Sequence, residues 1–188
     1  MVLLGDEQCN NDWIKPYLRR NGGLIQFVFL VYDSTEIDNE VFYQWPLGVA
    51  TWLPMETDAS REEYIKALSE SDLTLNPVGQ NTECYRIYEA MSYGSVPVIE
   101  DVMTSGHCGN SSISQKSPLR LLKEEKAPVI YVKDWKEIDR ILEKETTLTQ
   151  EYKTRRRRDN VLWYESFKSK MRERFVRILQ KHFFPVHR

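Results

Sequence analysis

Arg86 and Glu89 stand three residues apart in the stretch "NTECYRIYEAMSYGSVPVIED" (81–101), and their side chains suit opposite ends of one ligand. On a helix, residues three and four apart share a face. A guanidinium offers a fixed fork of donors that fits a diphosphate. A carboxylate is repelled by phosphate but accepts hydrogen bonds from two vicinal hydroxyls, as a ribose presents them. The pair therefore matches a nucleoside diphosphate. The competing reading is a surface ion pair worth about 0.2–0.5 kcal/mol. Gly79, Asn81 and Thr82 lead into the pair through "NPVGQNT". A glycine there lets backbone approach a ligand closely. Free N–H groups near Thr82, Glu83 and Cys84 would turn the positive end of the helix dipole toward a phosphate.

These residues need a scaffold. "LIQFVFLVYD" (24–33) is an apolar, β-branched and aromatic run that reads as a buried strand ending in Asp33. The following stretch, with Pro46, Gly48 and Pro54, reads as loop with one short strand. "SREEYIKALSES" begins with Ser60 as N-cap and Glu63 three residues on, a capping box. "DLTLNPV" is a strand, "TECYRIYEAMSY" a helix stopped by Gly94, and "VPVIED" a strand. Ile87, Ala90 and Met91 lie on the face that can pack on a sheet. "SPLRLLKEEKA" starts a helix with Ser117 as N-cap and Pro118 at its first position. "PVIYVKD" is a strand and "WKEIDRILEKE" a helix. From about Thr149 to Phe184 a long charged helix carries the stripe Trp163, Tyr164, Phe167, Met171, Phe175, Ile178 and Leu179. Strands alternating with helices imply crossovers and a parallel sheet, hence an α/β fold. Ligands of such sheets sit beyond the carboxyl ends of the strands, where "NPVGQN" lies. Glu100 and Asp101 return to that edge, and the loop holding His107 passes over it.

Bulk properties remove some classes. The 188 residues suffice for one full core. Lys and Arg number 26 against 28 Asp and Glu, a net charge of −2, which weighs against a nucleic-acid partner. No run reaches the roughly 18 apolar residues that span a bilayer. "MVLLGDEQCNNDW" lacks a basic leader and does not read as a signal peptide. A targeting segment, if the protein works in a secretory compartment, is expected outside this chain. Cys9, Cys84 and Cys108 show no metal spacing and fit either reduced thiols or one disulfide plus a free cysteine. "NSS" makes Asn110 a glycosylation sequon. "RRRR" (155–158) reads as a solvated helix face, with phosphate binding as the alternative. There is no Asp-x-Asp triplet, only "EID" at 36–38 and 137–139, so no metal site is expected.

"LTLNPVGQNTECYRIYEAMSYGSVPVIED" resembles the carboxyl-terminal motif of exostosin-like glycosyltransferases: strand, Pro-x-Gly loop, Arg-x-x-Glu-Ala, then Gly-x-x-Pro-Val-Ile. More narrowly, "CNNDWIKPYLRRNGG", "QWPLGVAT", the 81–104 block and "CGN" resemble the ribitol xylosyltransferases (ribitol-5-phosphate β-1,4-xylosyltransferases) over nearly the whole chain. That resemblance implies a GT-B fold of two Rossmann-like halves, with UDP-xylose as donor. It implies ribitol phosphate on the O-mannosyl glycan of α-dystroglycan as acceptor. It also implies a Golgi type II membrane enzyme working beside other Golgi glycosyltransferases. Gly79, Arg86 and Glu89 carry over as donor-binding positions.

A β-linkage made from an α-linked donor means inversion, so a carboxylate or histidine should act as base. Asp33 is the one candidate at a strand end. The resemblance further implies that residues 1–59 are a remnant of the acceptor-side domain with its junction, and that 60–188 form the nucleotide-sugar domain. Relatives are longer between "QWPLGVAT" and "SREEYIKAL", so a partial form is expected, with the base mainly in the missing part. Competing readings are an exostosin-type transferase using UDP-glucuronate or UDP-N-acetylglucosamine, a non-catalytic UDP-sugar-binding module, and a cytosolic domain for a phosphorylated metabolite.

Overall fold

The computed structural model describes residues 1–50, 57–104, 106–108 and 118–184. Two three-stranded parallel sheets form the frame. The first contains β1 (Val2–Leu4), β2 (Val28–Leu30) and β3 (Phe42–Gln44), in that order, with Val28 opposite Val2 and Phe42. The second contains β4 (Leu73–Asn76), β5 (Val96–Glu100) and β6 (Ile130–Val132), with Leu73 opposite Val96 and Val98 opposite Ile130. The central strands β2 and β5 are almost entirely buried, which accounts for apolar runs without alternation.

Helix α1 (Asp58–Glu70) leads into the second sheet, α2 (Tyr85–Tyr93) and α3 (Arg120–Glu124) lie in its two crossovers, and α4 (Ile138–Thr146) follows its last strand. The α–β alternation from residue 60 onward is the one that the sequence predicts. Ile87, Tyr88 and Met91 on α2 are fully buried with Ile99, Leu119 and Leu122. Side chains of this size contribute about 1.5–3 kcal/mol each when fully buried.

Helix α5 (Gln150–Phe183) has 34 residues and is about 51 Å long. Its first two thirds lie against α2: Tyr164, Phe167 and Met171 join the core there, and Asn160 Nδ2 donates to the Ser95 carbonyl at 2.5 Å. Its last third reaches the other sheet, where Phe175, Ile178 and Leu179 pack on Phe27, Phe29, Tyr43 and Trp45. One apolar stripe thus fastens both sheets to a single rod.

Several boundaries differ from the sequence expectation. The ladder in 24–33 is confined to Val28–Leu30, because β1 and β3 offer only three residues each, and Leu24 is 97% exposed. Thr57, not Ser60, caps α1: its hydroxyl accepts the Ser60 N–H at 3.2 Å. Helix α2 starts at Tyr85 and not at Thr82, since the Asn81 side chain accepts the Glu83 N–H at 2.9 Å and turns the chain first. Pro118 precedes α3, which begins at Arg120, and Ser117 lies outside the described residues. Strand β1 and the 3-10 turns Asp12–Tyr17 and Arg19–Asn21 had no clear signal. A disulfide joins Cys9 to Cys108, leaving Cys84 as the free thiol.

Candidate functional site

Beyond the carboxyl end of β4 the chain turns through Pro77–Cys84 into α2, and this turn walls a cavity of about 430 Å³. Glu7, Tyr32, Leu47 and Ala50 close it from the side of the first sheet, while Gly79, Asn81, Glu83, Arg86 and Glu89 line it from the second. It is therefore a cleft between the two sheets. A volume of several hundred Å³ is the size range of small-molecule sites, about 300–1,000 Å³.

The sequence explains why α2 presents the pair to this cleft. Ile87, Tyr88, Ala90 and Met91 are buried and fix the rotation of the helix, so Arg86 stays exposed at the cavity wall. Gly94 ends the helix at φ +86°, and a Cβ there would meet the Arg157 carbonyl at 3.1 Å. At Gly79 an added Cβ would meet nothing within 4 Å, so the loop faces open space there. Among the described residues Arg86 and Glu89 form no ion pair. Glu89 Oε2 instead accepts the Tyr64 hydroxyl at 2.7 Å, and Oε1 accepts the Ala50 N–H at 3.4 Å.

The other singled-out residues are placed as follows. Asn81 lines the cavity but is 7% exposed; its Nδ2 donates to the Glu7 carbonyl at 2.9 Å. Thr82 is 2% exposed, is not part of the cavity lining, and donates to the Val102 carbonyl at 2.6 Å. Glu100 Oε2 accepts the Val78 N–H at 3.0 Å, bracing the loop beneath the cavity. Asp101 is held by Lys123 at 2.8 Å and Lys133 at 2.9 Å. Asp33 is buried and ion-paired with Arg120 at 2.9 Å, also outside the lining. His107 is exposed, and Asn110 lies outside the described residues.

Within the arginine run, Arg155 and Arg158 are exposed as a solvated face requires, while the two between them are used internally. Arg156 makes a fork-like pair with Glu145 at 2.6 and 2.7 Å, and Arg157 donates to the Ser71 carbonyl at 2.6 Å. Among the described residues no cluster of His, Cys, Asp and Glu could hold a metal.

The residue that sequence reasoning passed over is Glu83. It lines the cavity, is only 5% exposed, and has no cation paired with it among the described residues. Its Oε1 accepts the Leu47 N–H at 3.0 Å and the Tyr88 hydroxyl in a short bond. Burial pushes its carboxyl up to about 7, opposed by those two donors and assisted by Asp33. An acidic residue three before Arg86 is the sole trace of this in the sequence. Cys84 beside it is half-buried, and burial raises its thiol.

Comparison with known proteins gives the family. A family model described as the RXYLT1 C-terminal domain matches residues 30–184, and one described as the RXYLT1 N-terminal domain matches 1–46. The chain belongs to the RXYLT1 family. It is 42% identical over 243 aligned positions to ribitol-5-phosphate xylosyltransferase 1 of Danio rerio, covering 99% of this chain and 55% of that protein. It is 41% identical over 240 positions to the Homo sapiens protein of the same name, covering 97% and 54%. The chain thus spans about half the length of the curated relatives it matches. Setting 243 aligned positions against 188 residues leaves at least 55 positions without a counterpart here. No solved structure matches. Among the described residues no helix is long and apolar enough to cross a membrane.

Proposed function

We propose that this chain is the nucleotide-sugar-binding part of a GT-B glycosyltransferase. In this reading the enzyme transfers xylose from UDP-xylose to ribitol-5-phosphate in the O-mannosyl glycan of α-dystroglycan, inverting the anomeric carbon. It works on the lumenal side of the Golgi membrane beside other glycosyltransferases. The observation that carries the proposal is the placement of Arg86 and Glu89 on one wall of a cleft at the carboxyl edge of a parallel sheet. Arg86 would hold the diphosphate. Glu89 has lone pairs left after taking Tyr64 and Ala50, and these would accept the ribose diol. The name of the relatives supports xylose and ribitol phosphate as the transferred and accepting groups.

Calorimetric titration with UDP and UDP-xylose, with ADP as control, tests the site. Arg86→Ala is expected to weaken UDP by about 1.5–3 kcal/mol, the scale of a charged hydrogen bond. Glu89→Ala should weaken UDP while sparing pyrophosphate. If both variants bind UDP as the parent does, the site is wrongly placed. A second reading, a UDP-sugar-binding module without transfer, is favoured by the 55 or more aligned positions that this chain lacks. Saturable UDP-xylose binding with no turnover would select it.

A further inference from the structure

We propose that Glu83 is the catalytic base of this cleft, taking the proton from the hydroxyl that attacks the sugar. The inference rests on the reading of the cleft as a nucleotide-sugar site and adds the residue that the donor-binding pair does not supply.

Position comes first. Glu83 is nearly enclosed yet forms part of the cavity wall. Both of its donors, the Leu47 N–H and the Tyr88 hydroxyl, fall on Oε1. Among the described residues Oε2 takes no hydrogen bond. One oxygen is thus clamped from two directions, while the other keeps its lone pairs on a residue that forms part of the cavity wall. A base needs this combination of a fixed rotamer and a lone pair within reach of the acceptor.

The rival acids are occupied or, like Glu7 on the N-terminal loop, exposed rather than enclosed. Asp33 is ion-paired with Arg120, Asp101 is held between Lys123 and Lys133, and Glu100 braces the loop at Val78. Glu89 is bound to Tyr64 and faces the position assigned to the ribose.

Charge points the same way. The groups around Glu83 are Tyr88 on α2, Asp33 and Tyr32 after β2, Glu7 on the N-terminal loop, and Cys84 and Arg86 next along the chain. Burial is the largest influence on the Glu83 carboxyl, lifting it to about 7, so near neutral pH it can both lose and accept a proton. The raised value means that the basic form is filled as pH climbs past about 7. A carboxylate salt-bridged to a cation would be a far weaker base.

The step balances. The oxygen of an alcohol attacks the anomeric carbon and forms the new C–O bond. Its proton passes to Glu83 Oε2. The bond from that carbon to the diphosphate breaks, and its electron pair leaves with the nucleotide, whose charge Arg86 faces. The proton then returns from the carboxyl to water. Without an acceptor, water takes the place of the alcohol and the donor is hydrolysed.

The test uses the full chain and Glu83→Gln, whose amide oxygen can still accept from Leu47 and Tyr88. UDP affinity, melting temperature and turnover of UDP-xylose, onto ribitol 5-phosphate or water, are measured from pH 5 to 9. Expected are unchanged UDP affinity, an undiminished melt, and turnover lower by about 10²–10⁴-fold. The parent's rate should fall below pH 7 with unit slope, and the residual rate of the variant should lack that limb. A merely structural Glu83 would not move the pH profile. Retained turnover in Glu83→Gln overturns the proposal, as does a parent chain that binds UDP-xylose and turns none over. A parent that binds no UDP overturns the site reading itself, and the base falls with it.

Discussion

The Tyr64 hydroxyl donates to Glu89 Oε2 at 2.7 Å, so helix α1 holds the carboxylate that the sequence pairs with Arg86. Burial, first, and this bond push the Tyr64 phenol up, so it stays a donor at any physiological pH. With the Ala50 N–H on Oε1, the carboxylate is oriented by two other segments before any ligand arrives. Preset orientation of this kind lowers the entropy lost on binding.

Tyr64→Phe removes the donor and leaves the ring. A hydrogen bond to a charged group is worth about 1.5–3 kcal/mol, and part of it is regained from water at this half-exposed site. The expected loss of stability is therefore about 1 kcal/mol, read from the urea midpoint at constant slope. UDP affinity should fall by less than in Glu89→Ala. An equal fall would mean that Tyr64, not Glu89, contacts the nucleotide.

The Cys9–Cys108 bridge closes a loop spanning a sequence separation of 99 residues. By loop-closure entropy a bridge of this span stabilises by about 4–5 kcal/mol, and native disulfides generally by about 2–5. It also anchors the segment holding Glu7, whose carbonyl accepts from Asn81 at the cavity wall. Reduction should lower the denaturant midpoint accordingly and weaken UDP binding. Cys84→Ser, which leaves the bridge alone, should not reproduce the loss in midpoint.

Two groups give pH dependences of opposite sign. The Glu83 carboxyl is raised in the folded chain, so it contributes stability below its unfolded value of about 4.5 and loses it as pH climbs through about 7. Glu83→Gln should thus melt higher than the parent at pH 8, with the gap closing toward pH 5. His182 is lowered, first by burial and then by Lys181; it stacks on Phe27 with ring centroids 4.5 Å apart and sits 2.9 Å from the Tyr43 hydroxyl. Its contribution is present above its unfolded value near 6.5 and is lost as pH falls through the lower folded value. His182→Gln should flatten the fall in melting temperature between pH 7 and 5. A melt curve with the parent's pH dependence in both variants would contradict the two assignments.

Much of the frame was legible because it is periodic. The 3.6-residue stripe from Tyr164 to Leu179 announces α5, and every member of it packs where an amphipathic helix should. Gly94 at φ +86° marks the end of α2, where only a residue without a Cβ is unstrained. Boundaries were less legible. Thr57 and Ser60 are both good caps three residues apart, and the structure uses Thr57, with Ser60 donating to it from inside the first turn. Three-residue strands such as β1 are too short for a period to show.

The sequence by itself determined the α–β alternation, the family, and the presence of Arg86 and Glu89 on one helix near a glycine loop. Each follows from neighbours within a few turns, where periodicity, capping and motif spacing act. Only the tertiary structure decided which acids face the cleft. Asp33 and Asp101 look as available as Glu83 in the sequence, yet Arg120, Lys123 and Lys133 claim them from far along the chain. Glu83 owes its character to Leu47, which is 36 residues away, and to enclosure by both sheets. Desolvation and pairing depend on what the whole fold brings within a few ångströms, and no local spacing encodes that.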